Sequence, residues 1–358
     1  MTAPRVLLIT GEYPPMQGGI SGYTELLRSE LELQGIQTVV LSSHASSADE
    51  TFETWSWGAI STVREIVSRH RIDIVHVQYQ AGAFAMHPVV NLLSRLIRIA
   101  PVVTTFHDLR PPYLFPKAGR VRFFTMRRMA RWSKAVIVTN PDDRHTLSQA
   151  KIPSQLIPLG PSLPAPDARF EPERCIGYFG FPSRQKGIDL LIQAIGRFPA
   201  RERPPLCIVG GRPTAAGQHG FMSLTDAETL AAESGVELTW TGYLDAQSAS
   251  NALSRCAVIA FPFPDGATQR SSALIAALQL GRTVITAAPA QADSLTGLTR
   301  LPQLVQIPRG DPAQLKQALE AAITSPAAWQ PLPSEYAWRS VAARHVDLYQ
   351  TLRREARD

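Results

Sequence analysis

"RVLLITGEYPPMQGGISGY", residues 5–23, sets an apolar run against a loop of paired prolines and paired glycines, followed by what reads as a helix start. RVLLIT shows no polar alternation, the pattern of a parallel strand covered on both faces. Beyond the glycines, Ile20, Tyr23, Leu27 and Leu31 recur at helical spacing, and Gly35 is placed to end the helix. Strand, glycine loop and helix in that order open a doubly wound sheet, whose ligands sit beyond the carboxyl ends of the strands. Gly18 and Gly19 carry no β-carbon, so backbone N–H groups there can approach a diphosphate; the same pair equally makes a plain turn.

The rhythm continues along the chain. TVVLSS, DIVHVQY, PVVTTFHD and AVIVTN follow in the first half, then CIGYFG, PLCIVGG, ELTWTGY, VIAFPF, TVITAA and LVQI, with helical stretches between them. Apolar runs separated by helices predict an α/β chain of two Rossmann-like, doubly wound parallel-sheet domains. Residues 157–175 pack five prolines into a stretch without periodicity, which reads as a linker with its boundary near residue 165. The domains expected are therefore 1–165 and 166–333, with an amphipathic helix over 334–358.

Bulk properties narrow the classes. At 358 residues the chain exceeds the roughly 250 to 300 at which one core stops growing, so two domains are expected. With 44% hydrophobic and 18% charged residues it is a folded chain rather than a disordered one. It has no run long enough for a membrane span and no signal-peptide cleavage pattern, so a cytoplasmic location is expected. Cys175, Cys207 and Cys256 are scattered and read as three buried thiols acting as small hydrophobes rather than a disulfide framework. Neither the histidines nor the carboxylates are spaced like metal ligands, and no metal or cofactor is expected. G-x-G-x-x-G is absent and no acidic residue ends TVVLSS, which disfavours a dehydrogenase.

The net charge of +6 is unevenly spread. Between Asp108 and Asp142 stand Arg110, Lys117, Arg120, Arg122, Arg127, Arg128, Arg131 and Lys134 with no acidic residue among them. Residues 117–134, KAGRVRFFTMRRMARWSK, interleave these cations with apolar side chains, as for a helix at an anionic membrane surface or acceptor, or for a helix whose charges are merely solvated. No nucleic-acid motif accompanies them.

Taken in order, the motifs resemble the GT-B retaining glycosyltransferases of the family-4, group 1 type. "DIVHVQYQAGAF" is similar to that family's third-strand segment, "VVTTFHD" to its strand ending in His-Asp, and "LIPLG" to the end of its first domain. "YFGFPSRQKGIDLLIQA" resembles its Gly-x-x-x-x-x-Lys-Gly signature, here Gly180, Lys186 and Gly187. "LCIVGG", "TWTGYL" and "ALQLGRTVITA" follow as in its donor-binding domain, and Trp338 with Tyr349 fits its C-terminal helix crossing back to the first domain. The resemblance implies two domains facing a cleft and closing over a nucleotide-diphosphate sugar, the first on the acceptor side and the second binding the donor. It further implies retaining, metal-independent transfer to an acceptor the sequence does not identify. It departs from the family where a Glu, seven residues and a second Glu are expected: those positions hold Thr268 and Ala276. Phe181 also replaces the arginine of a Gly-Arg pair, with Arg184 nearby.

On that pattern Lys186 and Arg184 are placed to meet the charge of a departing diphosphate, and His107 to bind the transferred sugar or support the charge at its anomeric centre. In "PFPDGATQRSS", Asp265, Gly266, Thr268, Gln269, Arg270 and Ser271 precede a helix, where they suit a diphosphate or sugar; Asp265 or Ser271 would also serve as an ordinary helix cap. Because the Glu pair is missing, a binding protein that has lost catalysis remains an alternative, as does another enzyme of this fold such as a sugar-nucleotide epimerase.

Overall fold

The computed structural model describes residues 3–109, 119–211 and 222–356. The chain divides into one unit of Met1–Gly160 with Ser334–Asp358 and a second of Pro161–Pro333.

In the first unit β1 (Arg5–Thr10) leads to α1 (Gly19–Leu33), β2 (Gln37–Ser43), β3 (Glu50–Phe52), α2 (Ala59–Arg69), β4 (Ile74–Tyr79), α3 (Val90–Leu96) and β5 (Val102–Phe106). Then come α4 (Gly119–Trp132), β6 (Ala135–Val138), α5 (Pro141–Gln149) and β7 (Gln155–Leu156). The sheet runs β3-β2-β1-β4-β5-β6-β7 and its described pairings are parallel. Its central strands β4 and β5 are buried along their whole length because both faces are covered. Leu7, Ile9, Val75 and Val77 join one core with α2, α3 and α4, while Val6, Leu8, Ile74 and Val103 join another beneath α1. The edge strands β3 and β7 were not expected from sequence; ETF and QL are too short and too polar to show a pattern.

The second unit begins with β8 (Glu173–Phe179), α6 (Ile188–Gly196), β9 (Leu206–Val209), α7 (Leu224–Glu233), β10 (Leu238–Trp240) and α8 (Ala246–Arg255). It continues with β11 (Cys256–Phe261), α9 (Ser272–Leu278), β12 (Thr283–Ala287), β13 (Leu304–Ile307) and α10 (Pro312–Thr324). The parallel sheet order is β10-β9-β8-β11-β12-β13. The proline-rich stretch read as linker is strand by its last three residues, Glu173–Cys175. Cys256 is buried, whereas Cys175 and Cys207 are half-buried, which corrects the reading of three buried thiols.

α11 (Trp338–Glu355) packs on α1 in the first unit, burying Val341, Ala342, His345, Tyr349 and Leu352 at helical spacing. Trp338 lies against Gly160, where an added β-carbon would sit 2.5 Å from the indole. The Tyr349 hydroxyl lies 2.6 Å from His76 Nδ1, beneath the sheet. Tyr349→Ala is expected to cost about 3–5 kcal/mol by leaving a cavity. Tyr349→Phe keeps the ring and leaves His76 Nδ1 only its longer, 3.4 Å contact with Gln78 Nε2, and should cost about 1–3 kcal/mol. Urea unfolding of both variants checks the order; equal losses would show that the hydrogen bond, not the packing, carries the contact.

Of the basic block, Arg110 and Lys117 lie outside the described residues, as do the side chains of Arg120 and Arg122. On α4, Met126 and Met129 are buried while Val121 and Phe124 are exposed, with Arg128 5.0 Å over the Phe124 ring. The helix thus buries one apolar stripe and leaves a second, arginine-flanked one on the surface. Among the described residues no helix is long and apolar enough to cross a membrane.

Candidate functional site

In the second unit, the carboxyl end of β8 passes through Gly180 into a 3-10 turn, Arg184–Lys186, capped by Ser183, whose Oγ accepts from the Lys186 N–H at 3.2 Å. Gly187 follows in the left-handed region, φ 77°, and starts α6. A β-carbon there would stand 2.4 Å from the Pro262 carbonyl oxygen, so the loops after β8 and β11 are in backbone contact and only glycine fits between them. The Lys186 side chain folds back over the strand end: a β-carbon on Gly180 would lie 2.9 Å from its Nζ. That ammonium has no hydrogen-bond or ion-pair partner among the described residues, and burial pulls its pKa down to about 8. Arg184 is exposed on the same turn.

The loop after β11 divides between residues that build it and residues that face outward. Ser271 caps α9, its Oγ accepting from the Leu274 N–H at 3.2 Å. Gln269 is buried and donates from Nε2 to the Thr296 carbonyl at 2.7 Å. Thr268 Oγ1 accepts from the Arg270 N–H at 3.3 Å. Gly266, φ 92°, is buried against Ala288 and Ala290. Asp265 is exposed and Arg270 half-buried. Ala276, in the place of the family's second Glu, is fully buried in α9 and offers no polar group.

In the first unit Gly18 is the N-cap of α1, in extended backbone and with no side-chain cap. The space above it is taken by Glu12: a β-carbon on Gly18 would meet Glu12 Oε2 at 2.1 Å. Partial burial raises the Glu12 pKa, and the carboxylate has no partner among the described residues. The protein therefore places its own carboxylate where Gly18 and Gly19 were expected to meet a diphosphate, as an N-terminal anion would be placed. Sequence reasoning missed Glu12, although a carboxylate directly after a strand's carboxyl end was visible.

His107 follows β5 at the same edge. Its Nε2 lies 2.9 Å from Gln78 Oε1, and its ring packs edge-on against Tyr23 of α1 at 4.6 Å between centroids. Burial, with His345 adding to it, pulls the pKa down to about 3, so the imidazole is neutral. Donation from Nε2–H to Gln78 leaves Nδ1 as the acceptor. Gln78 was not singled out in the sequence; it points to the same face of β4 as His76. His76 reaches Thr105 Oγ1 at 2.7 Å as well as Tyr349 and is a core residue.

The comparisons with known proteins bear on both units. The model described as Glycosyltransferase Family 4 matches residues 17–161, and the model described as Glycosyl transferases group 1 matches residues 173–325. Sucrose-phosphate synthase from Thermosynechococcus elongatus superposes with a TM-score of 0.75 at 18% identity, covering 98% of this chain and 99% of that one. Anabaena Alr3699/HepE in complex with UDP-glucose gives 0.65 at 16% identity, covering 99% of each chain. A glycosyltransferase from Rickettsia africae gives 0.65 at 14% identity, covering 98% of this chain and 99% of that one. No curated protein matches by sequence. At these identities the likeness establishes the GT-B fold, and the two family models supply the kinship.

Proposed function

Because this chain belongs to the GT-B glycosyltransferases of the family-4, group 1 type, we propose that it moves a sugar from a nucleotide-diphosphate sugar to an acceptor, with retention and without a metal ion. The observation that carries this reading is the Lys186 ammonium, unpartnered among the described residues and held over Gly180 at the end of β8. A leaving nucleoside diphosphate gains negative charge as the sugar–oxygen bond breaks, and Lys186 and Arg184 supply the cations that meet it. In a front-face route the acceptor oxygen bonds to the anomeric carbon on the side the phosphate leaves, and the acceptor's proton passes to a phosphate oxygen. No protein carboxylate pair is then required, unlike a glycosidase. Neutral His107 offers Nδ1 to a substrate hydroxyl. HepE was solved with UDP-glucose, which favours a uridine nucleotide as the first donor to try. Exposed Val121 and Phe124 beside arginine support an acceptor with apolar and anionic parts, met at a membrane surface.

Thr268 and Ala276 in place of the Glu pair favour a second reading, a nucleotide-sugar binder without turnover. A thermal-shift screen with UDP, GDP, ADP and their sugars separates the two. A bound nucleotide at a hundred times its Kd stabilises by about 2.7 kcal/mol and raises Tm. Donor hydrolysis or transfer with the same ligand supports the enzyme. Stabilisation without turnover leaves the binder, and no shift with any nucleotide removes both.

A further inference from the structure

The strand pairing sets a row of polar side chains behind His107. β4 and β5 lie side by side with Gln78 opposite Thr105, and the His107 N–H continues their ladder, donating to the Tyr79 carbonyl at 3.1 Å. Alternate residues share a face, so His76 and Gln78 of β4 stand on one side of the sheet with Thr105 of β5 and with His107, two residues further on. All four are buried, and buried polar groups are costly unless their hydrogen bonds are made. Those bonds run in one direction. The Tyr349 hydroxyl has one partner among the described residues, His76 Nδ1 at 2.6 Å, and a buried O–H donates to the acceptor it has. His76 Nδ1 therefore carries the lone pair and Nε2 the hydrogen, which goes to Thr105 Oγ1 at 2.7 Å. The Gln78 amide nitrogen lies 3.4 Å from Nδ1 and 3.3 Å from Nε2 of that ring. There it finds the Nδ1 lone pair, whereas an amide oxygen in its place would face that lone pair with the Nε2 hydrogen already given to Thr105. The amide oxygen is thus turned the other way, to His107 Nε2 at 2.9 Å.

We infer that Gln78 is a positioning residue for His107: held one way round by His76, its amide keeps the ring hydrogen on Nε2 and presents Nδ1 to the substrate as a bare hydrogen-bond acceptor. The inference rests on the reading of His107 as a substrate contact and assigns that contact its direction. Nδ1 has no partner among the described residues, and a half-turn of the ring would exchange Nε2 for a carbon and break the bond to Gln78. The partner's being an amide matters as much as its place. A carboxylate there would favour the charged imidazole and make the ring a base; a neutral amide does not. Around the ring stand Tyr23 of α1, Gln78 and His76 of β4 and His345 of α11, all uncharged, and burial holds the His107 pKa at about 3. His107 therefore takes a hydrogen bond from a hydroxyl without removing its proton, which agrees with a route that passes the acceptor's proton to phosphate. A substrate oxygen without a hydrogen, in an ether or a carbonyl, would meet a lone pair there and be rejected.

Nitrogen-15 NMR of the full, ligand-free chain labelled at histidine reads which ring nitrogen carries the hydrogen at pH 7, with His107→Asn identifying the resonance by its loss. Expected for His107 is the Nε2–H form. Gln78→Met keeps the length of the side chain and removes the acceptor, so a hydrogen left on Nε2 would be buried without a partner. The major form should then change to Nδ1–H, where water accepts the hydrogen, and Gln78→Leu should do the same. Gln78→Glu, with an oxygen at the same reach, should restore the hydrogen on Nε2. A wild-type ring protonated on Nδ1 alone, an Nε2–H signal unchanged in both apolar variants, or a glutamate variant that behaves like them would each overturn the inference. No ligand is present, so none of these outcomes depends on whether the chain transfers a sugar.

Discussion

Lys186→Met removes nucleoside-diphosphate binding and raises the melting temperature in the same variant. The lysine is the costly part of its loop: an ammonium drawn out of water, with no partner among the described residues and a pKa pulled down to about 8. Methionine keeps the apolar stem and loses the charge, and exchanging a buried charge for an apolar side chain of similar size is neutral or stabilising. The function lost is large, on the order of 10²–10³ in kcat, the scale of removing one group that stabilises transition-state charge. The lowered pKa adds a pH signature. Only the ammonium attracts phosphate, and phosphate raises its pKa in the complex, so binding takes up a proton once the free amine has titrated. Affinity should be level below pH 8 and fall about tenfold per unit above it. Lys186→Arg, which cannot lose its proton in this range, should bind with no such fall. In the ligand-free protein the unfolded lysine titrates at the ordinary 10.5, above the folded value. Between about pH 8 and 10.5 the unfolded state therefore holds more protons, and stability should rise with pH; in Lys186→Met that rise disappears. Calorimetric titration with UDP from pH 7 to 9.5, beside melting curves, reads both effects. Unchanged affinity in Lys186→Met would remove the lysine from the phosphate site, and lowered stability would show that its charge is satisfied after all.

What the sequence disclosed and what it withheld follow from the range of the interactions. The central strands were legible because burial on both faces writes itself into consecutive residues, as in RVLLIT and CAVIAF. α11 was legible because Val341, His345, Tyr349 and Leu352 repeat at helical spacing. The Lys186 turn could be found because Gly180 and Gly187 bracket it and each answers a local steric demand. Contacts made across the fold were not legible. Gln78 meets His107 from a neighbouring strand, and Tyr349 meets His76 across 273 positions. Glu12 over Gly18 was missed for another reason: the glycine pair shows that something approaches closely, but not whether that anion is a substrate or the protein's own side chain.

Mild acid should unfold the first unit while the second stays folded. His76, His107 and His345 are buried there among uncharged partners: Thr105, Tyr349, Gln78 and the Val341 carbonyl. Burial is the leading cause that holds all three below the ordinary 6.5: His107 at about 3, His345 at about 4, and His76 well below its usual value. In the unfolded chain each takes up its proton near pH 6.5. Below that pH the unfolded state binds protons that the native state refuses, so stability is complete above 6.5 and is lost as pH falls toward the native values. Each group contributes at most about 1.4 kcal/mol per pH unit, so the three together approach ~4 kcal/mol per unit. From pH 6.5 to 5 that reaches about 6 kcal/mol, comparable with the whole stability of an ordinary domain, about 5–15 kcal/mol. The second unit holds one histidine, His219, outside the described residues. Hydrogen exchange at pH 7, 6 and 5 should show β1, β4 and β5 losing protection while β11 and β12 keep theirs. His345→Gln should reduce the pH slope by close to one proton, because its Nε2 is buried without a hydrogen-bond partner among the described residues and glutamine does not ionise. Uniform loss of protection in both sheets, or none by pH 5, would show that the three imidazoles do not carry the acid sensitivity.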